Sequence, residues 1–473
     1  MNTTIMSLSG QTINLSDSEI ASFKKNFSGQ ILIKDDKDYN EIRLIWNGMI
    51  NKHPGLIARC KNSKDVSAAV KFARYHNLLI SIRGGGHNVA GNAVCEGGLM
   101  IDLSLMNNVL VDQKKMTAIV GPGSTLGNAD TETQKYGLVI PSGIVTSTGV
   151  AGLTLGGGFG WLSRKWGLTC DHLITTEVVT AEGEIIKVSN KENPDLFWGL
   201  KGGGGNFGIV TSFEFNLREL GPEITGGLII YKLEDTEKVL PLYNDYISSA
   251  PREVTTLIVY RYCPPAPFIK EEFHGTPIFA IGALYAGKAD KGLEVLKPIK
   301  QIGSPIGDMI IPKPFVTHQA MLDAGQPKGA CYYWKSEYLK EVSQSLSEKF
   351  VEQTFNMSSK SSIIAAFQLG GAITDIGEDE TAYSFRNAEH VININTQWQN
   401  ISESEKHISW ARKTQQLASP FSMGSGYINF ASADETQERV TATYGMKKYE
   451  KLVSLKRKYD PDNFFRLNQN IKP

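Results

Sequence analysis

The spacing of apolar residues in the first half of the chain predicts short helices and strands in alternation. After residue 62, Val66, Val70 and Ala73 share one helical face, and Ser63 is a plausible residue to cap that helix. The apolar segment LLISI at 78–82 then predicts a strand, which runs into the glycine run at 84–86. A helix that leads into a strand and a glycine loop is typical of α/β organisation.

Further short strands are predicted by the segments LMIDLS, NVLVD and TAIVGPG. The segment VVTAEGEIIKVS predicts a hairpin with Glu182 and Gly183 at its tip. Longer apolar segments follow in the second half: GGLIIYKL, TTLIVYRY, PIFAIGALYAG and SIIAAFQLGGAI. Helical patterns lie between and after them, in SEYLKEVSQSLSEKFVEQTF and in ERVTATYGMKKYEKLVSLKRKY, which Pro461 ends.

The distribution of glycine separates the two halves. Runs at 84–86, 156–158 and 202–205 are confined to the first half, where loops are expected to wrap closely around a ligand. A chain of 473 residues is also too long for one ordinary core. We therefore expect an α+β protein with one domain of residues 1–222 and 421–473. Residues 223–420 are expected to form a second domain, an antiparallel sheet covered by helices.

Composition excludes several classes of partner. Lysine plus arginine equals aspartate plus glutamate, at 49 each, so no basic footprint for nucleic acid is expected. No segment approaches the roughly 20 apolar residues that span a bilayer, and no signal peptide is visible at the start. These features predict a cytoplasmic protein without a membrane or nucleic-acid partner.

The five cysteines stand far apart, which argues against a disulfide framework and against a zinc site. His172 lies two residues after Cys170, but two ligands without a second pair do not make a metal site, so no metal is expected. The segment GPGSTLG at 121–127 has the spacing GxGxxxG, which departs from the dinucleotide fingerprint. Single glycine loops are usually tight turns, but several within about 120 residues favour a ligand that carries phosphate.

Four long segments occur in an order that resembles one known family. They are RGGGHNVAG, PSGIVTSTGVAGLTLGGGFGWLSRKWGLTCD, NPDLFWGLKGGGGNFGIVTSFEF and the terminal YDPDNFFRLNQNI. Over nearly its whole length the chain resembles the berberine bridge enzyme-like FAD-linked oxidases, which have the vanillyl-alcohol oxidase, or PCMH-type, FAD-binding fold. The resemblance implies that the discontinuous domain binds FAD and that the domain of residues 223–420 binds the substrate.

The resemblance also implies two covalent bonds to the flavin, one through His87 and one through Cys170. Imidazole and thiolate are suitable nucleophiles for such bonds, and a tethered flavin suits difficult hydride abstractions. A lone histidine or a lone buried cysteine would otherwise be a structural residue. The other positions expected to bind FAD are Arg83, Gly84, Gly85, Gly86, Asn88, Gly91, Gly123, Thr125, Gly127, Gly152, Thr154, Gly156, Gly157, Gly158, Gly160, Gly208, Ile209, Asn468 and Asn470.

On the substrate side, the segment GYINF matches a segment of bacterial relatives and makes Tyr427 the candidate base or partner of the base. Plant relatives often have a second tyrosine where this chain has Phe430. The strand IIAAFQLGGAI matches a segment that lines the substrate pocket in relatives, so Gln368 is expected to face the substrate. The resemblance also implies that Leu173, three positions after Cys170, restricts the access of oxygen to the flavin, because valine at this position goes with oxidases in the family. The alternative is that the pocket opens elsewhere.

Three functions remain open from the sequence. The first is an oxidase of sugars or alcohols, which removes a hydride and passes the electrons to O₂ or to another acceptor. The second is a tailoring oxidase of secondary metabolism that desaturates or cyclises its substrate. The third is a flavin-binding protein with little turnover, because flavin attachment by itself does not establish catalysis.

Overall fold

The computed structural model describes residues 3–25 and 27–473, and its strands form two groups along the chain. The first group contains β1 (Thr3–Met6), β2 (Thr12–Leu15), β3 (Gln30–Leu32), β4 (Leu56–Arg59), β5 (Ile80–Arg83), β6 (Leu99–Asp102), β7 (Val109–Asp112), β8 (Thr117–Val120), β9 (Leu138–Val139), β10 (Leu173–Val179), β11 (Ile185–Ser189), β12 (Ile209–Asn216) and β13 (Arg218–Glu219). Their helices are α1 (Asp17–Lys25), α2 (Tyr39–Ile42), α3 (Ser63–Tyr75), α4 (Leu126–Gln134), α5 (Val150–Leu155), α6 (Ser163–Trp166) and α7 (Pro194–Leu200).

Two sheets organise this first part. A four-stranded sheet has the order β3-β4-β6-β5, in which β6 is parallel to both of its neighbours. A five-stranded antiparallel sheet has the order β11-β10-β12-β8-β7. Helix α3 packs against this part through Val66, Val70 and Ala73, all fully buried as the spacing predicted. Its cap is Asn62 rather than Ser63, because the Asn62 side chain accepts the hydrogen bond from the Asp65 N–H.

The second group of elements builds one large sheet. It contains β14 (Glu223–Lys232), β15 (Val254–Tyr262), β16 (Pro277–Tyr285), β17 (Gly307–Asp308), β18 (Ile311–Pro314), β19 (Cys331–Leu339), β20 (Ile363–Gln368) and β21 (His390–Trp398). The helices are α8 (Thr236–Ser249), α9 (Ala289–Val295), α10 (Lys297–Lys300), α11 (Phe315–Gln319), α12 (Gln344–Phe355) and α13 (Ser404–Ala418). The strand order is β17-β14-β16-β15-β20-β21-β19, all antiparallel, and β18 also pairs with β14.

The large sheet is buried on both faces. Helices α8, α12 and α13 cover one face, where Tyr260 and Ile364 pack against side chains such as Phe350 and Trp410. The other face packs against the first part of the chain, for example through Val259 and Trp161. The prediction of an α+β fold with an antiparallel sheet covered by helices is thus confirmed. The domain limits at 222/223 and 420/421 stay predictions.

Two predicted helices differ from the observed ones. The segment SEYLKEVSQSLSEKFVEQTF begins as the end of β19, and only Gln344–Phe355 is helical. The pattern near the C-terminus divides into α14 (Gln437–Tyr444) and α15 (Met446–Tyr459). Gly445 separates them with a φ of 73°, a left-handed conformation that favours glycine. No helix in residues 3–25 and 27–473 is both long and apolar enough to cross a membrane.

One buried carboxylate lies between α4 and α11. Asp130 is 2% exposed, and neither of its carboxylate oxygens has a hydrogen-bond partner in the described part of the chain. Burial raises the pKa of Asp130 to about 7, although the side chain of Gln319 opposes the shift. The ionised carboxylate of Asp130 therefore destabilises the contact between α4 and α11 at neutral pH and above.

We expect Asp130→Asn to stabilise the protein at pH 8 and to have little effect at pH 4. The carboxyl titrates near 4 when the chain is unfolded and near 7 when it is folded. Stability from the neutral acid is therefore complete below pH 4 and lost as pH rises through 7, on the order of a few kcal/mol. Calorimetric melting across this range measures the difference. The exposed Asp245→Asn is the control, and parallel pH profiles for Asp130→Asn and wild type would contradict the assignment.

Candidate functional site

A cavity of about 370 Å³ lies between the glycine-rich part of the chain and the face of the large sheet that lies away from helices α8, α12 and α13. Glycine loops form one wall, including 84–86, 204–205 and Gly208. Alternate residues of β15, β20 and β21 form the opposite wall. Ligand sites are commonly found in such a cleft between domains.

Two backbone segments approach each other closely at the glycine wall. The loop after β5 contains Gly85, and Gly149 caps the start of α5. A Cβ on Gly85 would lie 2.6 Å from the Gly149 nitrogen, and a Cβ on Gly149 would lie 2.8 Å from the Gly85 Cα. Only glycine at both positions permits this approach, which holds the loop before His87 against the start of α5.

Two other glycines of this wall have open space in front of them. A Cβ on Gly152 or on Gly205 would meet no protein atom within 4 Å, and both residues line the cavity. Backbone here is accessible to a bound molecule, which is the property that a dinucleotide needs for close contact with its phosphates.

His87 lines the cavity at the end of the glycine run. Its ring stacks on Trp46 at a centroid distance of 4.0 Å, and Trp46 stacks on Tyr332 at 3.7 Å. The buried Nε2 atom of His87 has no hydrogen-bond partner among the described residues. Because burial lowers the pKa of His87 to about 4, the imidazole is neutral at physiological pH. The structure thus presents a fixed, uncharged nucleophile at the cavity.

Cys170 is placed differently. Its side chain is fully buried and does not line the cavity. The Cys170 N–H donates to the Gly157 carbonyl at 2.9 Å, and Asp171 beside it pairs with Arg386 at 2.7 Å. Burial raises the pKa of the Cys170 thiol well above its usual value. The raised pKa and the lack of access to the cavity both disfavour a reactive thiolate in this conformation.

Tyr427 lines the cavity from the C-terminal segment and is 2% exposed. Its hydroxyl oxygen accepts hydrogen bonds from the Gly158 N–H at 3.0 Å and from the Asn429 side-chain amide at 2.8 Å. Burial raises the pKa of Tyr427 well above its usual value, so the phenol keeps its proton at neutral pH. The expectation that Tyr427 reaches the site is consistent with this position, and its catalytic role stays a prediction.

Gln368 lies on the opposite face of its strand, contrary to the sequence expectation. Successive side chains of a strand point to opposite faces, and Ile363, Ala365 and Phe367 of β20 are the ones that line the cavity. The Gln368 Oε1 atom accepts hydrogen bonds from the hydroxyl and the N–H of Thr256, at 2.8 and 3.2 Å. Phe367 therefore occupies the position expected of Gln368.

The remaining sequence-predicted positions fall into two groups. Those that line the cavity are Gly84, Gly85, Gly86, Asn88, Gly152, Gly208, Ile209 and Asn468. Those that lie behind the wall are Arg83, Gly91, Gly123, Thr125, Gly127, Thr154, Gly156, Gly157, Gly158, Gly160 and Asn470. Several of the second group shape the loops; Thr125, for example, caps α4. Leu173 is also buried in the core away from the cavity, so its effect on oxygen access stays a prediction.

Sequence reasoning missed the polar residues on the sheet wall. Arg261, Asn393 and Asn395 all line the cavity, together with Trp334 of β19. A signal was present, because an arginine in TTLIVYRY and two asparagines in HVININTQW interrupt apolar strands at alternate positions. Their meaning depends on which face of the sheet meets the cavity, and that was not visible in the sequence.

Comparison with known proteins agrees with this geometry. Residues 54–189 match the model of the FAD binding domain, and residues 426–472 match the model described as berberine and berberine like. The chain is 34% identical to an FAD-linked oxidoreductase of Dictyostelium discoideum over 95% of this chain and 96% of that protein. It is 29% identical to the (R)-6-hydroxynicotine oxidase of Paenarthrobacter nicotinovorans over 95% and 97%.

The crystal structure of 6-hydroxy-D-nicotine oxidase from Arthrobacter nicotinovorans superposes with a TM-score of 0.84 at 27% identity, covering 94% of this chain and 98% of that one. A xylooligosaccharide oxidase from Myceliophthora thermophila gives the same TM-score at 22% identity, which shows the shared fold alone. Fold and cavity therefore define an enzyme of the class that binds FAD in a PCMH-type domain. The chain belongs to the FAD-linked oxidoreductases of the berberine bridge enzyme-like family.

We expect Gly152→Ala to lower flavin content without destabilising the protein that lacks flavin. The added methyl meets no protein atom and favours the helix, but it enters space that a bound cofactor would use. The ratio of flavin to protein absorbance and the melting temperature of the flavin-free form measure the two effects. Gly221→Ala, where a Cβ also meets nothing, lies outside the cavity and is the control. Unchanged flavin content in Gly152→Ala would show that this space is not used.

Proposed function

We propose that this protein is an oxidoreductase with covalently held FAD that removes a hydride from a small molecule and passes the electrons to O₂ or another acceptor. The observation that carries the proposal is one cavity in which open glycine backbone, a neutral His87 and the Tyr427 hydroxyl meet a largely apolar sheet wall that also carries Arg261 and two asparagines. Sugars, alcohols and secondary metabolites are the substrate classes that the family resemblance suggests. The name of the nicotine-oxidising relative adds heterocyclic amines to the compounds worth testing.

The residues of the cavity fit FAD. The backbone at Gly152 and Gly205 is open toward the cavity, and the loop around Gly85 is held in place by its contact with Gly149. The Nε2 atom of His87 is buried and has no hydrogen-bond partner among the described residues. Such an atom is unfavourable unless a bound ligand contacts it. When bound, FAD supplies the two-electron acceptor that protein side chains lack.

Covalent attachment is best supported at His87. Its ring is held by stacking on Trp46 and is already deprotonated, so it needs no further activation by a base. The family resemblance also implies a second bond through Cys170, but the geometry of the described residues favours attachment through His87. The thiol is fully buried and does not line the cavity, and it packs behind Phe159 and Tyr427, which do.

Acid denaturation of three variants separates the two attachments. We expect wild-type protein and Cys170→Ala to keep their flavin after denaturation, whereas His87→Ala releases it, because only His87 faces the cavity. Cys95→Ala removes another thiol buried away from the cavity and is the matched control. Retention of flavin by His87→Ala, with release only from the double variant, would establish the bond through Cys170. Complete release from wild type would exclude covalent attachment.

Tyr427 is suited to hold the reacting group of the substrate. Two donors already point at its oxygen, so its own proton is left for a substrate atom in the cavity. Because the pKa of this phenol is raised by burial, it acts as a donor or as one member of a proton relay rather than as a free phenolate. The rings of Phe159 and Phe430 pack against the Tyr427 ring, and Phe367 packs against Phe159, so the surroundings of the tyrosine ring are apolar.

Anaerobic bleaching of the flavin by a panel of alcohols, amines and oligosaccharides tests the function and identifies a substrate. With that substrate, we expect Tyr427→Phe to slow flavin reduction by roughly 10²-fold or more while flavin content stays unchanged. Tyr444→Phe is a matched control, because Tyr444 also lines the cavity and its hydroxyl has no hydrogen-bond partner in the described structure. Equal reduction rates in Tyr427→Phe and wild type would assign this tyrosine to packing, and a flavin that no compound bleaches would contradict the proposed activity.

A further inference from the structure

Arg261 lies on the sheet wall of the cavity and has no ion-pair partner among the described residues. It lies near the end of β15, and its Nε donates to the carbonyl of the adjacent Tyr262 at 3.1 Å. Its terminal nitrogens make no hydrogen bond and no ion pair with any residue of 3–25 and 27–473, and burial lowers its pKa. It is the one charged side chain among the described residues that line the cavity, since His87 is neutral. A sheltered cation without a counter-ion is unfavourable unless a ligand supplies the anion.

Strand register places Arg261 in a row across the sheet. Arg261 pairs with Ile363, Ile363 with Asn395, and Asn395 with Trp334, on β15, β20, β21 and β19. Three steps between strands span about 14 Å at roughly 4.8 Å each. The far end of the row lies close to Tyr427. The ring centroids of Trp334 and Phe430 are 5.3 Å apart, and those of Phe430 and Tyr427 are 5.0 Å apart.

The side-chain oxygens of two asparagines on β21 also lack partners among the described residues. Asn393 and Asn395 are each 4% exposed, and the Oδ1 atom of each has no hydrogen-bond partner in the part of the chain that the structure describes. The Asn395 Nδ2 atom donates to Gln326 at 3.3 Å. The rest of this wall is apolar, with Val259, Ala365 and Phe367. The wall thus offers a cation at one end, amides two strands away on β21 and apolar side chains between and around them.

We propose that Arg261 binds a carboxylate at one end of an apolar substrate, whose other end presents the carbon to be oxidised near Tyr427. The inference rests on the proposed function and names its substrate class. One guanidinium balances one negative charge and matches a carboxylate with two parallel hydrogen bonds, which favours a monoanion over a phosphate dianion. The amides of Asn393 and Asn395 are placed to orient polar atoms along the same molecule.

An alternative role for Arg261 would be to bind the phosphates of FAD. The glycine loops that suit phosphate lie on the opposite wall of the cavity, and Arg261 belongs to β15 of the large sheet. Flavin content therefore separates the two uses, since an arginine that binds the cofactor cannot be removed without loss of FAD.

The test titrates flavin-loaded enzyme with 3-phenylpropionate, with its neutral amide and with phenyl phosphate, following the flavin absorbance. We expect the carboxylate to bind wild type more tightly than the amide or the phosphate. Arg261→Met should weaken carboxylate binding by about 10- to 100-fold, leave amide binding unchanged and keep full flavin content. Arg261→Lys should give an intermediate affinity, because it keeps the charge and loses the paired geometry. Arg252→Met, at an exposed ion pair with Asp375 just before β15, is the control.

Four results would overturn the proposal: loss of flavin from Arg261→Met, equal binding of carboxylate and amide to wild type, no carboxylate binding, or tighter binding of phenyl phosphate through Arg261. None of these readings requires turnover. If the protein binds the carboxylate through Arg261 but no compound reduces its flavin, the carboxylate site is supported and the proposed oxidoreductase activity is contradicted.

Discussion

The contact between Gly85 and Gly149 is the constraint on which the site depends. A side chain at either position would collide with the backbone of the other segment, so the loop after β5 and the start of α5 meet only as bare backbone. This contact places His87 at the end of one segment and Gly152 within the other, both on the same cavity wall. Displacement of either segment would move the backbone at Gly152 relative to His87, the residue proposed to bond to the flavin.

The large sheet supplies the opposite wall because it is used on both faces. Alternate residues of β15 and β20 pack into the core beneath α8, α12 and α13, and this burial holds the strands rigidly. The intervening residues, among them Arg261 and Phe367, are then presented to the cavity at positions set by strand register. The helices thus fix this cavity wall from the opposite side of the sheet.

Burial has different consequences for the polar groups of the site. It lowers the pKa of His87 so that the imidazole is neutral, raises the pKa of the Tyr427 phenol and lowers the pKa of the Arg261 guanidinium, which has no counter-ion among the described residues. A neutral nucleophile, a hydroxyl with a free proton and an unpaired cation can each act on a ligand. Cys170 differs from these three groups. Burial raises the pKa of its thiol, which makes it a poor nucleophile, and it does not line the cavity.

The sequence by itself determined the class of protein, and it predicted the glycine loop that carries His87 to the cavity wall, because both depend on local motifs in which glycine spacing sets the path of the backbone. It also placed most strands, since the alternation of apolar residues is a local property. Only the tertiary structure decided that Gln368 points away from the cavity while Phe367 faces it, and that Arg261 and Trp334 stand at opposite ends of one row. The reason is that the face of a strand that meets a cavity is set by packing between distant segments, and a shift of one residue exchanges the two faces.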